Sequence, residues 1–131
     1  MKRIFKTIAT VLGVLLAFLL YSLASERYYV RTKSPAGITT VSDYFRRFGE
    51  PAFVRMAQRD GRSYYEFNGR VDPAWWCLAL PSGPPAYIFD ERGQFIEWCA
   101  EPGDSSRYRQ RWRLTSTNEV EVAGIKARFG L

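Results

Sequence analysis

Residues 7–25 form an uncharged run of nineteen positions, with Lys2, Arg3 and Lys6 before it and Glu26 and Arg27 after it. At about 1.5 Å per residue a helix of this length covers roughly 28 Å, close to the hydrocarbon thickness of a bilayer. Two fates fit an apolar segment with a positive N-terminal flank: an uncleaved transmembrane anchor or a signal peptide. Ser22 and Ala24 occupy the small-residue positions of a cleavage site after Ala24. The run is longer than the usual ~7–15-residue apolar part of a signal, and Tyr21, Tyr28 and Tyr29 stand where an interfacial aromatic belt would lie. We expect an anchor over 1–25, with release after Ala24 as the alternative.

Residues 26–37 are polar, carry Arg31, Lys33 and Pro35, and read as a linker. The strongest local pattern follows over 39–51. Val41, Tyr44, Phe45 and Phe48 recur at i, i+3, i+4, i+7, one face of an amphipathic helix, and Arg46 and Arg47 fall on its outer face. Thr40 and Asp43 have capping-box spacing, Gly49 is placed to stop the helix, and Pro51 forbids its restart. Beyond Ala52 the period becomes two. Phe53, Arg55 and Ala57 alternate with Val54, Met56 and Gln58, then residues 59–62 read as a turn and 63–67 as a returning strand, a β-hairpin. Residues 86–89, a turn at 90–93 and residues 94–99 read as a second hairpin. Between them Trp75, Trp76 and Cys77 precede a Pro-Ser-Gly-Pro-Pro breaker and read as a long excursion.

Residues 107–114 alternate Arg107, Arg109, Arg111 and Arg113 with Tyr108, Gln110, Trp112 and Leu114, which predicts a strand. A three-residue loop over 115–117 would set Arg113 against Glu119, Arg111 against Glu121 and Trp112 against Val120, pairs that favour antiparallel strands. A helix, with Tyr108 and Trp112 at i, i+4, is the second reading. Residues 124–131 read as a frayed basic tail.

The run from Thr40 through Tyr44 to Phe48-Gly49-Glu50-Pro51 resembles the T-x-x-x-V-x-x-x-L-G-x-P pattern of the SmpA/OmlA (BamE-like) outer-membrane-assembly lipoproteins. Residues 64–67 and the Phe89-Asp90-Glu91-Arg92-Gly93-Gln94-Phe95 turn are similar to that family's later strands, so the likeness covers residues 37–98. It implies a small α+β domain, a helix packed on an antiparallel sheet over 38–131, acting as a non-enzymatic binding module of the cell envelope. The same fold family includes a secreted β-lactamase inhibitor, so fold alone does not choose the partner. The family's lipid-modified cysteine has no counterpart, since the chain has no cysteine before Cys77. An uncleaved helix would replace the lipid and place the domain on the periplasmic side of the inner membrane.

Composition narrows the partners. Of the net charge of +6, Lys2, Arg3 and Lys6 supply half, so the domain is only mildly basic and nucleic acid is not expected. We expect an envelope protein as partner and inner-membrane lipid around the N-terminal helix. Tyr64, Tyr65, Trp75 and Trp76 are candidate partner contacts, because interfaces favour such side chains. The arginines at 107, 109, 111 and 113 are a candidate basic stripe for lipid head groups or an acidic partner. In an oxidising compartment Cys77 and Cys99 are a candidate disulfide. With no histidine, nucleophile elbow or metal-ligand spacing, we expect no enzyme activity, cofactor or metal.

Overall fold

The computed structural model describes residues 1–70, 84–100, 106–112 and 119–131, apart from the side chains of residues 26, 29 and 30. The N-terminal helix and the domain from Lys33 onward are separate bodies. The helix α1 (Lys2–Lys33) takes in the first part of the stretch 26–37 read as a linker. Nothing between Ser25 and Lys33 is Gly or Pro, so the helix propagates until Pro35 forbids it. Its span Lys2–Ser25 is long and apolar enough to cross a membrane. Val11, Leu12, Leu15, Leu16, Leu19 and Leu20, which point in different directions around the axis, are each 53–60% exposed. The hydroxyls of Thr7 and Thr10 donate back to the carbonyls of Arg3 and Lys6 at 3.0 and 2.9 Å, so neither interrupts the apolar surface with an unpaired group.

In the domain, helix α2 (Val41–Phe48) forms where the periodicity places it. Thr40 Oγ1 accepts from the Asp43 amide at 3.3 Å and the Asp43 carboxylate accepts from the Thr40 amide at 3.0 Å, the expected capping box. Gly49 ends it at φ 72°, its amide returning to the Phe45 carbonyl. Both hairpins are present. Strands β1 (Phe53–Arg59) and β2 (Arg62–Asn68) join through Asp60 and Gly61, both at positive φ, the conformation a two-residue hairpin turn requires. Strands β3 (Ala86–Phe89) and β4 (Phe95–Cys99) form the second hairpin. With β5 (Glu119–Val120) they make one antiparallel sheet in the order β4-β3-β2-β1-β5. The start of β4 is covered at the sheet edge by the chain before α2, where Phe95 donates to the Thr39 carbonyl.

Alternation sorts the strands into two faces. On the first, Val54, Tyr65, Phe67, Tyr87 and Phe89 pack with Val41 and Tyr44 of α2 in one buried cluster. The Tyr44 ring meets Phe67 and Tyr87 edge-on, each at 5.1 Å, a preferred aromatic geometry. The residues read as a basic tail are instead the helix α4 (Val122–Phe129), which buries Ile125 in the same cluster. Its Phe129 ring lies over Gly93, where an added Cβ would stand 2.7 Å from Cε1.

The second face holds Ala57, Ala86 and Ile88, covered by Tyr108 and Trp112. These two belong to a helix, α3 (Ser106–Arg111) and the turn after it, and not to the expected strand. The reason is burial: at i, i+4 both aromatics reach one apolar surface, whereas a strand would spread them along its length. The expected Arg111–Glu121 and Trp112–Val120 pairs are accordingly absent, and the third falls on Arg113, outside the described residues. Val120 pairs with Val54, Glu119 with Arg55, and Glu121 stands at the start of α4. The domain is thus α+β with helices on both faces of its sheet.

Candidate functional site

The second face is polar at its centre. The two-residue turn at Asp60-Gly61 sets the β1–β2 register so that Arg55 faces Glu66. Glu66 is fully buried, and its Oε1 accepts from Arg55 Nη2 at 2.7 Å, Arg55 Nε at 3.0 Å and Asn68 Nδ2 at 2.6 Å. Its Oε2 accepts from the Tyr108 hydroxyl at 2.7 Å. A buried carboxylate is tolerated only when charge and lone pairs are met in this way. Burial, and then the adjacent Glu66 charge, push the Tyr108 hydroxyl far above the ordinary phenol range, so it stays a donor.

Glu97 on β4 holds the other end of α3. It accepts from Trp112 Nε1 at 2.9 Å and pairs with Arg111. The Trp112 ring meets Tyr64 edge-on at 5.0 Å, and the Arg59 guanidinium lies 5.3 Å from its centroid. Two strand carboxylates therefore fix α3 over the middle of the face.

Beyond Trp112, towards the hairpin turns, the face opens into a groove of about 450 Å³. Tyr64 and Ile96 give it apolar wall, and Arg62 and Arg92 give it charge. Ile96 sits at an irregularity in the β3–β4 pairing and is 45% exposed, although its strand neighbours are half-buried or better. Bulges re-aim side chains in this way. Asp90 at the rim is already engaged, accepting from the amides of Arg92 and Gln94 at 2.9 and 2.8 Å. Arg55, Arg59 and Arg111 each have a carboxylate partner, but Arg62 and Arg92 have none among the described residues.

The expected contact residues separate accordingly. Tyr64 borders the groove, whereas Tyr65, on the opposite face, is 5% exposed and belongs to the core, so it is not a partner contact. Arg107, Arg109 and Arg111 are exposed on α3, but helical spacing turns Arg109 away from the other two and Arg111 is spent on Glu97, so they form no strand-like stripe. Trp75, Trp76, Cys77 and Arg113 lie outside the described residues, and with them the candidate disulfide. Cys99 is half-buried beside the Tyr108 cluster. Sequence reasoning missed Arg55, Glu66, Asn68 and Glu97. The first two were within reach, because a turn at Asp60-Gly61 pairs positions 55 and 66.

No family model, curated protein or solved structure matches the chain.

Proposed function

We propose that this chain is a membrane-anchored, non-enzymatic binding module of the bacterial cell envelope, its domain facing the periplasm and docking an envelope protein. One observation carries the reading: α1 exposes apolar side chains around its whole circumference over Lys2–Ser25. In water such a surface costs about 25 cal/mol for each Å², and a bilayer removes that cost. The helix also runs unbroken through Ser22, Ala24 and Ser25, which supports retention over release. The likeness to the SmpA/OmlA family supports a scaffold role in envelope assembly. The groove beside α3 supplies the docking surface: a partner presenting an apolar side chain to Ile96 and carboxylates to Arg62 and Arg92 fits it.

Expression in a bacterium tests both parts. The full chain is expected in salt-washed membranes with Met1 intact, its domain digested by protease added to spheroplasts. A photo-crosslinker in place of Ile96 is expected to give one discrete adduct, lost in Arg62→Glu/Arg92→Glu. A soluble chain beginning at Ser25 would show instead a released module, and crosslinking unaffected by the arginine changes would remove the groove.

A further inference from the structure

Crossing a membrane does not require the last two turns of α1. Beyond Ser25 the helix continues to Lys33, with Arg27, Tyr28 and Arg31 exposed along it. Arg27 and Arg31 have no carboxylate partner among the described residues. At 3.6 residues per turn Tyr21, Tyr28, Arg31 and Arg27 fall within an arc of about 120°, so two aromatic and two cationic side chains share one face.

Depth along the axis matters equally. With a rise of about 1.5 Å per residue, Tyr21 lies roughly 6 Å before Ser25, and Arg27, Tyr28 and Arg31 lie roughly 3, 4.5 and 9 Å beyond it. The headgroup layer on each side of the hydrocarbon core is about 5–8 Å deep. If Ser25 marks the edge of the core, Arg27 and Tyr28 stand within that layer and Arg31 at its outer rim. Cations at this end do not help to orient the helix, because orientation is favoured by cations left on the cytoplasmic side. Lys2, Arg3 and Lys6 at one end are nevertheless followed by Arg27 and Arg31 at the other. A gain specific to the far leaflet would account for them.

We propose that Arg27 and Arg31, flanked by Tyr21 and Tyr28, bind the phosphate of anionic glycerophospholipids in the leaflet the domain faces. The inference rests on the anchored reading above. Guanidinium groups suit this ligand because their paired N–H donors match two phosphate oxygens. Tyr28 stands at the depth of the glycerol and Tyr21 deeper, against acyl chain, where aromatic rings gain from the interface.

The test uses the full chain, purified from membranes in detergent with Met1 verified, and native mass spectrometry with phosphatidylglycerol and phosphatidylcholine as probes. Retention of phosphatidylglycerol is expected to exceed that of phosphatidylcholine. Each arginine removed should lower this preference about fivefold, so Arg27→Gln/Arg31→Gln nearly abolishes it, while Arg46→Gln/Arg47→Gln on α2 leaves it unchanged. Equal retention of the two lipids by a chain with Met1 intact would overturn the inference and leave the anchor standing. An unchanged preference in Arg27→Gln/Arg31→Gln, or full displacement of the lipid by millimolar inorganic phosphate, would overturn it as well. A chain recovered only from Ser25 onward would overturn the anchored reading and this one with it.

Discussion

Tyr108 donates its hydroxyl hydrogen to Glu66 over 2.7 Å, joining a short helix to a strand 42 positions earlier in the chain. Both residues are buried, Glu66 completely. Tyr108→Phe keeps the ring and removes the donor, leaving Oε2 of a buried carboxylate without it. A hydrogen bond to a charged group contributes about 1.5–3 kcal/mol, and for a domain of this size that corresponds to a melting temperature lower by roughly 10 °C or more. The tryptophan band of the near-ultraviolet circular dichroism of the full chain in detergent follows the domain separately, since α1 contains no tryptophan. A fall below about 2 °C would mean that Arg55 and Asn68 alone suffice.

Trp112 separates packing from hydrogen bonding. Trp112→Phe retains an aromatic ring against Tyr64 and Arg59 but loses the donor to Glu97, a carboxylate whose side chain is 21% exposed and so open to water. The expected cost is about 0.5–1.5 kcal/mol. Trp112→Ala empties a fully buried site and should cost about 3–5 kcal/mol. Equal losses in the two variants would show that the indole N–H, and not the ring, holds α3 down.

Gly93 and Gly61 share a positive φ, at 79° and 74°, but only Gly93 has a ring against it. Alanine at either position should cost about 1–2 kcal/mol for the left-handed backbone. Gly93→Ala is expected to cost more than Gly61→Ala, since the new Cβ must displace Phe129. The excess should shrink when Phe129→Leu is combined with it, a double-mutant cycle that reports the contact.

Asp43 gives a pH dependence with a definite sign. Hydrogen bonds from Thr39 and then Thr40 hold its carboxyl down to about 2. A carboxylate depressed in the folded state contributes stability that is complete above the ordinary range near ~3.9 and is lost as pH falls through the folded value. The melting-temperature gap between the wild type and Asp43→Asn should therefore be constant from neutral pH to about pH 5 and close between about pH 4 and 2. A gap that persists at the acid end would assign the effect to shape and not to charge.

The elements that the chain announces locally are those whose deciding contacts are local. Thr40 and Asp43 cap α2 across three positions, and Asp60 and Gly61 close the first hairpin within four. The apolar character of 7–25 likewise needs no partner to be read. The arginine-aromatic alternation misled for the same reason: over eight residues a period of two and an i, i+4 pair coexist, and nothing nearby chooses between them. Glu66 and Glu97 choose, and they lie 42 and 15 positions away. The basic tail became a helix because Ile125 and Phe129 find an apolar surface built by β2, β3 and α2.

The sequence by itself therefore determined the apolar N-terminal helix, the capped α2 and both hairpins, since the periodicity, caps and turns that define them lie within short stretches of chain. Only the tertiary structure decided the helical state of α3 and α4, the burial of Tyr65 and the groove beside Trp112. Each of those depends on which face of the sheet a side chain meets, and that surface exists only once distant strands have paired.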